Sequence, residues 1–276
     1  LKSLKIFTEK NKKIQKLRKI LKNHKSVLVA FSGGSDSSFL LKAAVDFLGA
    51  DNVLAVTVKS EFIPEKKIEE AKSIAVDIGS KWESLEISIL SENNLIRNPV
   101  DRCYLCKKTI LKNLKKMAKK AGINQVVEGA IVEDTKMYRP GVKAVKQLGV
   151  KSPLMEAGFT KEEIRKLSRK LALPSWNKPS FTCLATRFPY GTRLTKKNLK
   201  KVEMAEKLLS TKTFKQFRVR HHGNIARIEV PEKDIDKLLS HRKSIIEEFK
   251  KIGYDYVTID IEGYRSGSMD IGIKNG

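Results

Sequence analysis

The apolar positions of the chain follow two alternating rhythms. Residues 27–31 form a nearly continuous apolar run, as in a strand covered on both faces, and residues 53–58 repeat it. Residues 82–89 alternate like a third strand, residues 125–129 supply a fourth, and residues 151–154 a fifth. Between them the spacing becomes helical. Residues 39–48 end near Gly49, residues 65–78 end at Gly79, and a Lys-rich stretch runs to about Ala121 with Asp101 as its N-cap. Residues 142–148 are a short helix, and residues 160–171 begin with the capping-box pair Thr160 and Glu163. Strand and helix alternate, which predicts an α/β fold with a doubly wound, mainly parallel sheet. The rhythm stops over residues 174–192, which are too rich in proline and polar residues for a regular element. Beyond lie a helix (195–209), a hairpin (216–219 and 225–230, around His222-Gly223-Asn224), a helix (234–252) and a strand (256–261). The expected division is therefore residues 1–191 and a small C-terminal α+β domain, residues 192–276.

Composition narrows the classes. With 41% hydrophobic residues among 276, the chain can fill a core, so wholesale disorder is excluded. No run approaches the roughly 18 apolar residues of a membrane span. Three cysteines are too few for a disulfide scaffold, so a reducing, cytoplasmic setting is expected. The net charge of +25 suits nucleic acid, an acidic partner or an anionic small substrate. The lysines lie along helical segments such as residues 107–120, where solvated faces are the simpler reading and a nucleic-acid interface the lesser one.

Chemistry first shows at Ser32-Gly33-Gly34-Ser35-Asp36-Ser37-Ser38, between a buried strand and a helix. There the backbone N–H groups and the helix dipole converge on an anion, and the serine hydroxyls add donors. The Walker and dinucleotide glycine patterns are both absent. The segment resembles the S-G-G-x-D-S signature of the PP-loop ATP pyrophosphatases. That likeness implies ATP and Mg²⁺ as cofactors, cleavage to AMP and pyrophosphate, and an adenylated intermediate opened by a nitrogen or sulfur nucleophile.

Further segments resemble the LarE family of ATP-dependent sulfur transferases, which serve nickel-pincer cofactor biosynthesis. They are Asn98-Pro99-Val100-Asp101-Arg102-Cys103-Tyr104-Leu105-Cys106-Lys107, Tyr138-Arg139-Pro140-Gly141, Ser152-Pro153-Leu154-Met155-Glu156-Ala157-Gly158 and Trp176-Asn177-Lys178-Pro179-Ser180. Cys183-Leu184-Ala185-Thr186-Arg187-Phe188-Pro189-Tyr190-Gly191-Thr192 matches most closely, followed by Arg218-Val219-Arg220-His221-His222-Gly223 and the segment from Glu262 to Met269. The resemblance implies a pyridinium mononucleotide substrate bearing ring carboxylates, one of which is adenylated and converted to a thiocarboxylate. It also implies a homo-oligomer. Arg139, Arg187, Arg218 and Arg220 are candidates for the substrate's phosphate and carboxylates, and Asp134, beside Glu133, is a candidate for Mg²⁺.

The cysteines are Cys103, Cys106 and Cys183. In the single-cysteine version of the family, the residue matching Cys183 gives up its own sulfur and becomes dehydroalanine. Here a C-x-x-C at a helix start joins it, and three thiolates can anchor a [4Fe-4S] cluster with one iron open. The family includes three-cysteine members of that kind, so cluster-borne sulfur is the leading expectation. Sacrifice of Cys183 is the alternative, and a zinc half-site or a redox pair is further behind. Two rival functions stand beside this reading: tRNA thiolation by a PP-loop enzyme, and a non-enzymatic carrier or regulator on a retained fold.

Overall fold

The computed structural model describes residues 11–135, 141–178, 181–265, 267 and 268. The chain forms two compact units, residues 1–87 with 101–181 and residues 88–100 with 182–276. Among the described residues no helix is long and apolar enough to cross a membrane.

The first unit contains α1 (Lys12–His24), β1 (Val27–Ala30), α2 (Ser35–Leu48), β2 (Val53–Lys59), α3 (Glu65–Ile78) and β3 (Lys81–Glu86). It continues with α4 (Arg102–Lys120), β4 (Gln125–Val127), α5 (Gly141–Gln147), α6 (Pro153–Ala157) and α7 (Lys161–Lys170). The four strands pair in parallel in the order β3-β2-β1-β4. Val27–Val29 and Val53–Val58 are buried along their whole length, as a sheet covered by helices on both faces demands. This is the doubly wound α/β architecture.

The chain steps outward from β1 to β3 and then returns to the other side of β1 with β4. That reversal opens a crevice at the carboxyl ends of β1 and β4, where open α/β sheets bind their ligands. Several local expectations hold closely. Helix α3 occupies residues 65–78 and closes on left-handed Gly79, and the Thr160–Glu163 capping box forms with both of its bonds.

Others are corrected. The fifth strand is a single parallel bridge between Val127 and Lys151, because Pro153 has no N–H for a ladder and instead opens α6. Asp101 stands at the N-cap of α4 without a side-chain capping bond. Helix α1 is masked in the sequence by its lysines, yet Ile14, Leu17 and Leu21 fall on one buried face.

The second unit holds α8 (Lys196–Thr211), β5 (Arg218–His222), β6 (Ile225–Glu229), α9 (Ile235–Ser240), α10 (Arg242–Ile252) and β7 (Tyr256–Ile259). The β5–β6 hairpin is antiparallel, and β7 adds to β6 in parallel. The expected long helix over 234–252 is interrupted at His241. Residues 88–100 join this unit through Asn98, which is fully buried at φ 49°. Its Nδ2 donates to Phe188 O (3.2 Å) and Pro189 O (2.7 Å), and Gly191 N donates to Asn98 O at 3.0 Å. The two units divide the chain at residues 87/88, 100/101 and 181/182.

His221 is enclosed between Phe188 and Tyr254, with Nδ1 3.1 Å from the Tyr254 hydroxyl. Burial, assisted by the charges of Lys201 and His222, lowers its pKa to about 4 from 6.5. The folded state thus excludes a proton that the unfolded chain binds, so this contribution is complete above pH 6.5 and fades as pH falls toward 4. Between those limits the melting temperature of the wild type should rise more steeply with pH than that of His221→Asn. Above pH 6.5 the two curves should run parallel, and parallel curves throughout would refute the assignment.

Candidate active site

The sheet delivers Ser32-Gly33-Gly34 to the start of α2. Gly33 adopts φ 69°, and a Cβ there would lie 3.0 Å from Ala71 Cα on α3. Gly34 caps α2 without a side-chain bond, so the first-turn N–H groups have no helical partner and face the crevice with the positive end of the dipole. Ser32 Oγ and Ser37 Oγ are 3.1 Å apart, and Ser37 Oγ donates to Gly34 O at 3.2 Å. Ser38 is fully buried beneath them. From the far side of the crevice, Gly129 presses on the same turn, where a Cβ would lie 3.0 Å from Ser37 N. Glycines on both sides of the crevice leave an open backbone cradle of the kind that fits a pyrophosphate.

One residue here escaped the sequence analysis. Lys161, at the first position of α7, places Nζ 2.8 Å from Ser35 Oγ and 2.8 and 2.7 Å from the two oxygens of Asp36. Its backbone N donates to Glu133 Oε1 at 2.9 Å. A cation thus stands at the loop, held by the Asp36 carboxylate. Only the position of Lys161 just after the Thr160 cap signalled it. The Asp134 carboxylate is buried and accepts from Ile131 N at 3.0 Å, closing its own turn.

Cys103 and Cys106 lie one turn apart at the start of α4, exposed and half-buried, and neither forms a disulfide. The buried Arg102 brings Nη2 to 3.7 Å from Cys103 Sγ. One turn on, Lys107 Nζ donates to Glu128 Oε2 (3.0 Å), while Ser152 Oγ donates to Glu128 Oε1 (2.7 Å). Burial would raise the pKa of Glu128, but the charge of Lys107 and these hydrogen bonds outweigh it and hold the group below its ordinary value. Glu128 directly precedes Gly129, so the thiol-bearing helix is fastened to the strand that flanks the phosphate loop.

The second unit carries Cys183, half-buried, at the head of a short turn, Leu184–Arg187. Arg187 is buried and forms a two-pronged pair with Glu206, its Nε and Nη2 at 2.8 and 3.0 Å from the carboxylate. Arg220 pairs in the same way with fully buried Glu229, both bonds 2.8 Å, and donates to Thr186 O at 2.6 Å. Arg218 stacks on Tyr264, 5.2 Å from its ring centre. Burial and the neighbouring charge of Arg187 lower its pKa. Thr186, Arg187, Arg220, His222, Arg227 and Ser268 line a half-open pocket of about 440 Å³, mouth included. Burial, Arg227 and Arg220 lower the pKa of His222, so the pocket's charge rests on its arginines.

Arg227 and Glu229 were also missed. The two-residue turn Gly223-Asn224, shorter than the expected His222-Gly223-Asn224, fixes a register that sets them opposite Arg220 and Arg218. Arg139 lies outside the described residues.

Three thiols are the right donors for an iron–sulfur cluster, but their placement does not by itself supply the site. Cys103 and Cys106 belong to the first unit and Cys183 to the second. Among the described residues, no three Cys, His, Asp or Glu side chains are gathered as a metal ion needs.

Residues 9–129 match the family described as NAD synthase. Over 250 residues, 91% of each chain, the sequence is 40% identical to a pyridinium-3,5-bisthiocarboxylic acid mononucleotide synthase of Lactiplantibacillus plantarum. An uncharacterised protein of Synechocystis is 37% identical over 260 residues, 94% of this chain and 97% of its own. A glutamine-dependent NAD(+) synthetase of Aquifex aeolicus shares 39% identity over 61 residues, 22% of this chain and 11% of its own.

Proposed function

Given that the chain belongs to the LarE family of ATP-dependent sulfur transferases, we propose that it adenylates a carboxylate of a pyridinium biscarboxylate mononucleotide and replaces that activated oxygen with sulfur. The observation that carries the reading is the phosphate loop: an open, glycine-flanked helix N-terminus with Lys161 at its rim. In the first step a ring carboxylate oxygen attacks the α-phosphorus of Mg-ATP, the bond to the β-phosphate breaks, and pyrophosphate leaves on the loop. The N–H groups of α2 and the Lys161 ammonium take up the charge that develops on it. The basic pocket of the second unit suits the anionic groups of the mononucleotide through Arg227, which is 39% exposed, while Arg220, already bonded to Glu229, Thr186 O and Ser268 Oγ, shapes its wall.

A thiolate then adds to the acyl carbon and AMP departs. With Cys183 as that thiolate, a thioester forms. Loss of the Cys183 Cα proton and cleavage of Cβ–Sγ release the thiocarboxylate and leave dehydroalanine, a net loss of H₂S from the protein. A [4Fe-4S] cluster on Cys103, Cys106 and Cys183 would, when bound, supply a hydrosulfide nucleophile and spare all three cysteines.

The test combines two measurements on protein purified without oxygen. Pyrophosphate release should depend on the pyridinium substrate and survive in Cys183→Ala, whereas thiocarboxylate formation should vanish in that variant. Release driven by tRNA, or none with the pyridinium compound, would overturn the reading. Iron and acid-labile sulfide content then decides the donor: a cluster lost on changing any one cysteine, or an iron-free protein that loses one H₂S per turnover.

A further inference from the structure

Arg187 was expected to meet the anionic substrate, but its guanidinium is already in use. The side chain is 2% exposed. Nε and Nη2 are bonded to the two oxygens of Glu206. Nη1 lies 3.1 Å from Thr182 O, 2.6 Å from Thr182 Oγ1, 3.2 Å from Cys183 O and 2.6 Å from Thr186 Oγ1. All three nitrogens are thus committed within the protein, and two of the acceptors are the main-chain oxygens of Thr182 and of Cys183 itself.

We infer that Arg187, held by Glu206, is a positioning residue that fixes the Cys183 turn, and that it does not receive the substrate's anions. The inference rests on the proposed role of Cys183 as a reacting or anchoring thiol. Several contacts converge on the same few peptides. Thr186 returns bonds from N and Oγ1 to Cys183 O, at 3.1 and 2.8 Å. Arg220 reaches Thr186 O from β5. Glu206 Oε1 also accepts Val219 N at 3.1 Å, so one carboxylate ties the cysteine turn to the strand that bears Arg218 and Arg220. A planar guanidinium spreads its N–H donors in a fixed fork, so it meets the Glu206 carboxylate on one side and shares its Nη1 hydrogens among the oxygens of the cysteine turn on the other, a geometry that an ammonium does not offer. The arrangement fixes where Sγ sits before substrate arrives, which an anion receptor would have no need to do.

The two roles predict opposite results for Glu206→Gln, which keeps an acceptor for Val219 N but removes the counter-charge of Arg187. If Arg187 received anions, the freed charge would lower the KM for the pyridinium substrate and leave Cys183 unaltered. If it positions the turn, the KM and pyrophosphate release should stay within about twofold while thiocarboxylate formation falls about tenfold, the scale of one charge-assisted hydrogen bond.

A substrate-free readout accompanies this. Iodoacetamide labelling of Cys183, read by peptide mass spectrometry against Cys103 and Cys106 in the same digest, should change about tenfold in Glu206→Gln and in Arg187→Lys. Unchanged labelling of Cys183, a lowered KM, or an equal rise at all three cysteines would overturn the assignment. Should wild-type protein release no pyrophosphate with the pyridinium substrate, the proposed function fails, while the labelling result still decides whether Arg187 holds the turn.

Discussion

Gly129→Ala should leave the protein folded and slow ATP cleavage by about a hundredfold, the usual consequence of moving a binding group by about 1 Å. The added Cβ would sit 3.0 Å from Ser37 N, 3.1 Å from Ser37 Cα and 3.2 Å from the Asp36 carbonyl carbon. All three are main-chain atoms at the first turn of α2, so no side chain can swing away to make room. The turn itself must shift, and with it the N–H groups that face the pyrophosphate. Overpacking of this kind costs about 1–3 kcal/mol of stability, which a folded domain can absorb, whereas phosphate geometry cannot.

Gly79→Ala provides the contrast. Gly79 has φ 82°, and an added Cβ would meet nothing within 4 Å, so this variant should lose about 1 kcal/mol and keep its catalytic rate. The measurement is the kcat and KM for ATP in pyrophosphate release, with melting curves alongside. Wild-type turnover in Gly129→Ala would show that the phosphates do not lie against this turn.

That turn also shows how far local patterns reach. The apolar run of β1, the serines and glycines after it and the start of α2 lie within twelve consecutive residues, so periodicity and turn chemistry disclose them together. The capping box at Thr160 and the α3 boundaries were readable for the same reason: their determinants lie close together along the chain. Lys161 was not, because its partner Asp36 is 125 residues away and the Thr160 cap before it marks a helix start but not that pairing. Glu206 and Glu229 are likewise ordinary acidic residues until tertiary folding sets them on Arg187 and Arg220. The expected strand at Lys151 failed on a local detail, since Pro153 removes a ladder donor and starts a helix. The cysteines divide in the same way: the C-x-x-C spacing fixes two thiols on one helical turn, whereas Cys183 lies in a different unit.

The largest stability effect is expected at Glu229. Its carboxylate is fully buried and accepts Arg220 Nε and Nη2 at 2.8 Å each and Arg227 Nη2 at 3.2 Å. Glu229→Ala strands the Arg220 guanidinium, 10% exposed, with only the neutral acceptors Thr186 O and Ser268 Oγ. Breaking one side of a buried ion pair typically costs about 3–5 kcal/mol. In a domain-sized unit that lowers the melting temperature by more than about 10 °C. Arg227→Ala should cost at most about 1 kcal/mol, because its side chain is 39% exposed and largely screened.

The cause can be separated from simple cavity formation with a second change. Arg220→Met in the Glu229→Ala background removes the stranded charge while filling similar volume, so the double variant should melt above the single one. A double variant that melts lower would place the penalty in lost packing and not in the unpaired charge. The buried pair would then act in the second unit chiefly as a spacer between β5 and β6.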